Sequence, residues 1–105
     1  MLKLTEAAFL KQVLEYATLK GWRTAHFRPG MTKRGTWVTA VQGDGKGFPD
    51  LLLIRGKRIV VAELKVGSNK PTPEQEQWLG AFLDAGVESY VWYPKDFDDI
   101  LEVLN

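Results

Sequence analysis

Hydrophobic positions recur along the chain first with a helical period, then as two nearly continuous runs, then with a helical period again. The opening segment, "LTEAAFLKQVLEYATLKGW", places Leu10, Val13 and Ala17 on one stripe at about 100° per residue, flanked by Phe9 and Leu14. That spacing predicts an amphipathic helix, with Thr5 as its N-cap and Gly21 where it stops. Lys11 and Glu15 lie opposite the stripe as an exposed ion pair. "WRTAHFR" predicts a strand, from its aromatic and β-branched content. "PDLLLIRGKRIVVAELKV" predicts a hairpin turning at Gly56–Lys57. Its arms are apolar at nearly every position, as expected for the centre of a sheet covered on both faces.

"TPEQEQWLGAFLDAG" predicts the second helix. Thr72 is its N-cap, Pro73 opens its first turn, Gln75 takes the third position and Gly86 follows its end. Trp78, Leu79, Phe82 and Leu83 form its expected buried face. "ESYVWY" predicts a strand and "KDFDDILEVL" a closing amphipathic helix. Between the first strand and the hairpin, residues 29–47 hold five of the ten glycines and predict a long loop, of a length usually functional or mobile in a small domain. A short strand is expected within it at Thr36–Val41. The order helix, strand, hairpin, helix, strand, helix predicts an α/β layered domain. Residues 1–105 form one domain on this expectation, since so short a chain hardly supports two cores.

Two charges interrupt the apolar pattern. Glu63 and Lys65 sit in "RIVVAELKV", interleaved with Leu64 and Val66, where an isolated charge would cost several kcal/mol to bury. Glu6 falls near the centre of the first helix's stripe, four residues before Leu10 and seven before Val13. It is also the kind of acid that favours a helix's first turn.

Composition narrows the chemistry. The net charge of +1 excludes a polycation but leaves room for basic residues clustered on one face. The absence of cysteine excludes a disulfide framework and a Cys-ligated zinc site. No stretch resembles a signal peptide or approaches the ~20 apolar residues of a membrane span, so a cytoplasmic protein without a membrane partner is expected. "GDGKGF" lacks the ending and spacing of a phosphate loop, which argues against a nucleotide cofactor.

Antiparallel pairing around Gly56 brings residues near 50 opposite residues near 63, so Asp50 and Glu63 are expected at one end of the sheet. Glu63 and Lys65, two apart on a strand, emerge on one face. Two carboxylates without an arginine repel each other unless a divalent cation lies between them, and oxygen ligands favour Mg²⁺ or Mn²⁺. Such an ion polarises a phosphodiester and acidifies a bound water, while a nearby lysine positions that water or neutralises developing charge. The plain alternative makes Glu63 and Lys65 a surface pair on an edge strand.

"GFPDLLLIRGKRIVVAELKVG" resembles the PD-(D/E)XK nuclease signature, with twelve residues between Asp50 and Glu63. "TPEQEQWLGAFLDAG" and the "GKGFPD" approach resemble the viral replication–repair nuclease (VRR-NUC) branch of that superfamily. The matching segments cover roughly residues 43–93. The resemblance implies a restriction-endonuclease-like α-β-β-β-α-β core, with a mixed central sheet flanked by helices. It also implies Mg²⁺-dependent (or Mn²⁺-dependent) DNA cleavage and a relation to Holliday-junction resolvases. Asp50, Glu63 and the backbone carbonyl of Leu64 would hold the metal, Lys65 would assist the attacking water, and Gln75 would orient the site or touch phosphate. Glu6 would serve the metal directly or through water. No family role is carried onto the glycine-rich 29–47 stretch, and Gln75 also has a purely local role open to it, closing a capping box on Thr72.

Arg28, Lys33, Arg34 and Lys46 form a basic group beside the expected metal site and are candidates for holding DNA phosphates. Trp37 is a candidate for stacking on an unpaired base, or for anchoring its loop. His26, the single histidine, is more readily structural than catalytic. A core this small contacts little DNA, so a branched or flapped substrate and a homodimer are expected, in a bacterial or phage-infected cell. The rivals are a catalytically silent DNA-binding module, a nuclease subunit dependent on a partner protein, and a protein–protein adaptor using the closing helix.

Overall fold

The computed structural model describes residues 4–27, 30–31, 37–38 and 45–105. Its elements run α1 (Glu6–Leu19), β1 (Arg23–His26), β2 (Gly30–Met31), β3 (Trp37–Val38), β4 (Leu51–Arg55), β5 (Arg58–Leu64), α2 (Pro73–Asp84), β6 (Glu88–Trp92) and α3 (Phe97–Leu104). Strands β1, β4, β5 and β6 form one mixed sheet in that order, with β1–β4 and β4–β5 antiparallel and β5–β6 parallel. Strands β2 and β3 pair separately. The expected α-β-β-β-α-β order and mixed sheet are therefore present, and α3 follows them. Of the strand expected over Thr36–Val41, the described part is β3. Arg28, Lys33 and Arg34 lie outside the described residues. No helix among the described residues is long and apolar enough to cross a membrane.

The two faces of the sheet are covered differently. On one, Leu51, Leu53, Val60, Ala62 and Leu64 pack fully buried against Phe9, Val13 and Ala17 of α1 and Ile100 and Leu104 of α3. Burying each such side chain contributes ~1.5–3 kcal/mol. On the other face, α2 rides over β5 and β6 and buries Val61 and Leu79. It leaves the β4 side of that face open, so Ile54 and Ile59, paired across the hairpin, stay 37% and 40% exposed. Leu83, expected on the buried face of α2, is 58% exposed for the same reason: the helix's last turn overhangs solvent. Gly56 takes a φ of 61°, as a type II′ hairpin turn requires at its first central residue.

Two clamps hold the first face. Arg58 makes a bidentate pair with Glu88, donating from Nε at 2.8 Å and from Nη2 at 2.7 Å, and Tyr90 Oη donates to the same carboxylate. The Arg58 hydrogen bond holds the Glu88 carboxyl below its usual range. Trp22 Nε1 donates to the Leu104 carbonyl at 2.9 Å, and the Arg55 guanidinium lies 4.6 Å from the Trp22 ring centre. Arg55 also donates to the carbonyls of Lys20, Leu104 and Asn105, tying the end of α1 to the end of α3. Arg55→Ala removes these part-exposed contacts and should lower the unfolding free energy by ~1–3 kcal/mol in urea titration, with little change in slope.

Candidate functional site

β5 is an interior strand, flanked by β4 and β6, and this decides the environment of Glu63. Leu51 pairs with Ala62, so Asp50 at the entrance of β4 stands opposite Glu63 near the end of β5. Strand alternation puts both acids on the face that α2 covers. Glu63 is only 1% exposed, the one buried charged residue among those described. It is not part of a surface pair on an edge strand.

The two carboxylates interlock through the backbone. Asp50 N–H donates to Glu63 Oε1 at 3.1 Å, and Leu64 N–H donates to Asp50 Oδ2 at 2.9 Å. Lys65, whose side chain is 16% exposed, brings Nζ within 3.4 Å of Glu63 Oε2. That is ion-pair range, yet Oε2 is fully buried and has no hydrogen-bond partner. Burial first, and then the nearby Asp50 carboxylate, push the Glu63 carboxyl up to about 7, with Lys65 and the Asp50 N–H pulling only partly the other way. Glu88, gripped by an arginine, shows the opposite shift. A buried Glu63 oxygen without a hydrogen bond and a carboxyl driven toward neutrality are what burial beside a like charge produces when the nearby ammonium offsets it only in part.

The approach to Asp50 is fixed against α2. Gly47, at φ 83°, runs so close to the start of that helix that a Cβ there would lie 2.6 Å from the Glu74 carbonyl carbon and 2.8 Å from Gln75 N. Phe48 then sets its ring 5.2 Å from Phe27, 5.1 Å from Trp78 and 5.9 Å from Phe82, each edge-on. Pro49 is fully buried before Asp50. Gly47→Ala adds both a strained φ and a backbone overlap, whereas Gly56→Ala adds strain alone, nothing lying within 4 Å. Thermal melts should show Gly47→Ala as the worse of the two, by several °C, with Gly56→Ala costing ~1 kcal/mol.

The other expected residues fall as follows. Gln75 closes the capping box: its N–H donates to Thr72 Oγ1, and its Oε1 accepts from Thr72 N–H at 2.8 Å. Its side-chain oxygen is thus engaged locally, although its backbone adjoins the Gly47 approach. Glu6 is half-buried in the first turn of α1, on the helix covering the opposite face from Asp50 and Glu63. No group of three or more acidic or histidine side chains able to hold a metal occurs among the described residues, so Glu6 is not gathered with the pair. Lys46 lies 3.4 Å from Glu74, which already shares its charge. His26 pairs with Leu51 and shares that residue's face, away from the acids.

The donor set suits a hard divalent cation: carboxylate oxygens, one of them buried without a donor, and no sulfur or imidazole. Mg²⁺ commonly takes only one or two protein carboxylates and keeps several waters, so a two-acid site is sufficient for it. No protein-family model, no curated protein and no solved structure matches this chain.

Proposed function

We propose that the chain is a divalent-metal-dependent endonuclease that hydrolyses DNA phosphodiester bonds, of the VRR-NUC type within the PD-(D/E)XK superfamily. The observation that carries this reading is the buried Glu63 facing Asp50, with Lys65 Nζ at 3.4 Å and Oε2 lacking a hydrogen bond. Asp50 and Glu63 would hold Mg²⁺ or Mn²⁺, with the Leu64 carbonyl as a third oxygen donor. The ion, when bound, would supply a polarised phosphate and a more acidic water. Lys65 keeps an ammonium beside the acids, where it offsets charge building on phosphate and holds the attacking water. Leu64 N–H locks the Asp50 carboxylate in place, and the Gly47–Pro49 approach keeps it from swinging away.

The test is cleavage of junction, flapped and duplex DNA with Mg²⁺ or Mn²⁺, beside Asp50→Ala and Glu63→Ala proteins. Cleavage surviving in either variant would remove the assignment. One observation favours a second reading, the silent DNA-binding module: each acid already accepts a backbone hydrogen bond, so the pair has a structural use without metal. Calorimetry separates the two, since the module would bind DNA yet release no heat on Mn²⁺ titration.

A further inference from the structure

Beyond Lys65, β5 leads into a turn around Gly67, and β6 leads into the turn of Pro94–Asp96. Because β5 and β6 are parallel, both exits open at one end of the sheet, and a crevice outside the carboxyl ends of parallel strands is where open α/β sheets place ligands. A cleft of about 460 Å³ lies there, lined by Gly67, Ser68, Asn69, Lys70, Tyr93 and Lys95. Its walls are joined: Tyr93 Oη donates to the Asn69 carbonyl at 2.7 Å, and Lys65 N–H donates to the Trp92 carbonyl at 3.0 Å. The Lys95 ammonium lies 5.4 Å from the Tyr93 ring centre, on the cleft's rim. Asp96, next to Lys95 in the chain, accepts from Tyr93 N–H at 2.9 Å and is thus turned to its own backbone.

We propose that this cleft binds the phosphodiester backbone of a nucleic-acid strand through Lys70 and Lys95, to one side of the Asp50–Glu63 pair. The proposal rests on the nuclease reading for the identity of the strand, and on the cleft itself for the binding. Its lining pairs two ammonium groups with a hydroxyl, an amide and glycine backbone, which is the donor set that phosphate contacts draw on. Among the described residues neither lysine is ion-paired with an acid, whereas Lys46 shares its charge with Glu74. Two residues span at most ~7 Å, so Gly67 opens the cleft that close to Lys65, about two nucleotides of rise along a duplex strand. A strand bound across the acids would therefore reach the cleft with its next phosphates.

Fluorescence anisotropy with a labelled oligothymidylate in EDTA tests this without cleavage. Lys70→Ala/Lys95→Ala should weaken binding roughly tenfold at low salt and reduce the slope of log affinity against log salt by about 1.4, the value for two lost single-strand phosphate contacts. Lys11→Ala, on the exposed face of α1, should bind as wild type does under the same conditions. An unchanged slope in the double variant, or no oligonucleotide binding at 20 mM salt, would overturn the cleft site. Displacement by polyglutamate as effective as displacement by DNA would overturn it too, in favour of acidic peptides. A chain that never cleaves, but whose oligonucleotide binding falls in the double variant, would lose the nuclease reading and keep the cleft.

Discussion

On the proposed nuclease reading, Asp50→Asn and Glu63→Gln should each lower metal-dependent DNA cleavage by about a thousandfold. Holding a Lewis-acidic ion on a phosphoryl oxygen contributes several kcal/mol to the transition state, and each 1.36 kcal/mol is a factor of ten. Both changes keep size and shape, so the Asp50–Glu63 and Leu64–Asp50 backbone bonds retain an oxygen acceptor. The double variant should be no slower than the slower single one, because groups that hold one ion fail together. Lys65→Ala should cost less, about a hundredfold, since it removes charge stabilisation and leaves the ion in place. Single-turnover rates at saturating Mg²⁺ read all four variants, and additive losses in the double variant would contradict a shared ion.

The second large effect is on stability and runs against the first. With Glu63 raised from 4.5 to about 7, the folded chain holds a proton that the unfolded chain has released between those values. Stability therefore falls as pH rises from about 4.5 to about 7. The penalty is complete above that window and amounts to a few kcal/mol. Glu74 and Glu88, whose carboxyls are held low, act in the opposite sense and lose their contribution only as pH falls below the usual carboxylate range. In EDTA the wild-type melting temperature should thus peak near pH 5 and decline toward pH 8. Glu63→Gln should flatten that decline and melt several °C above wild type at pH 8. Excess Mg²⁺ should restore the wild-type protein at pH 8 by mass action and leave the glutamine variant unmoved. Parallel melting profiles for the two proteins would mean that Glu63 carries no such burden.

These effects were legible in the sequence only to the depth that local patterns reach. The tight turn at Gly56–Lys57 fixes strand register, so counting back from it sufficed to set Asp50 opposite Glu63. Likewise Thr72 and Gln75, three apart, spell out their own capping box. Patterns could not say how deep Glu63 lies, because that depends on β6 joining β5 in parallel after a crossover through α2. The Arg55 and Trp22 contacts with the Leu104 carbonyl span 49 and 82 residues and leave no local trace. Leu83 misled for a related reason: helical period identifies a face, but only the path of α2 over β5 and β6 decides how much of that face meets the sheet. Glu6 lies on the apolar stripe as its spacing indicates, and the stripe packs on the side of the sheet away from Asp50. Lys70 and Lys95 carry no motif; each is merely a cation just before or within a turn that starts a helix.

The interior position of β5 has a consequence for amide exchange along it. Strands hydrogen-bonded on both edges open least often, usually only when the whole domain unfolds. Amides on such a strand exchange through the global equilibrium rather than local breathing, so they read the stability that the Glu63 carboxyl alters. Amide exchange along Val60–Leu64 should accordingly quicken with pH beyond the ordinary base-catalysed rise, and a bound divalent ion should slow it again.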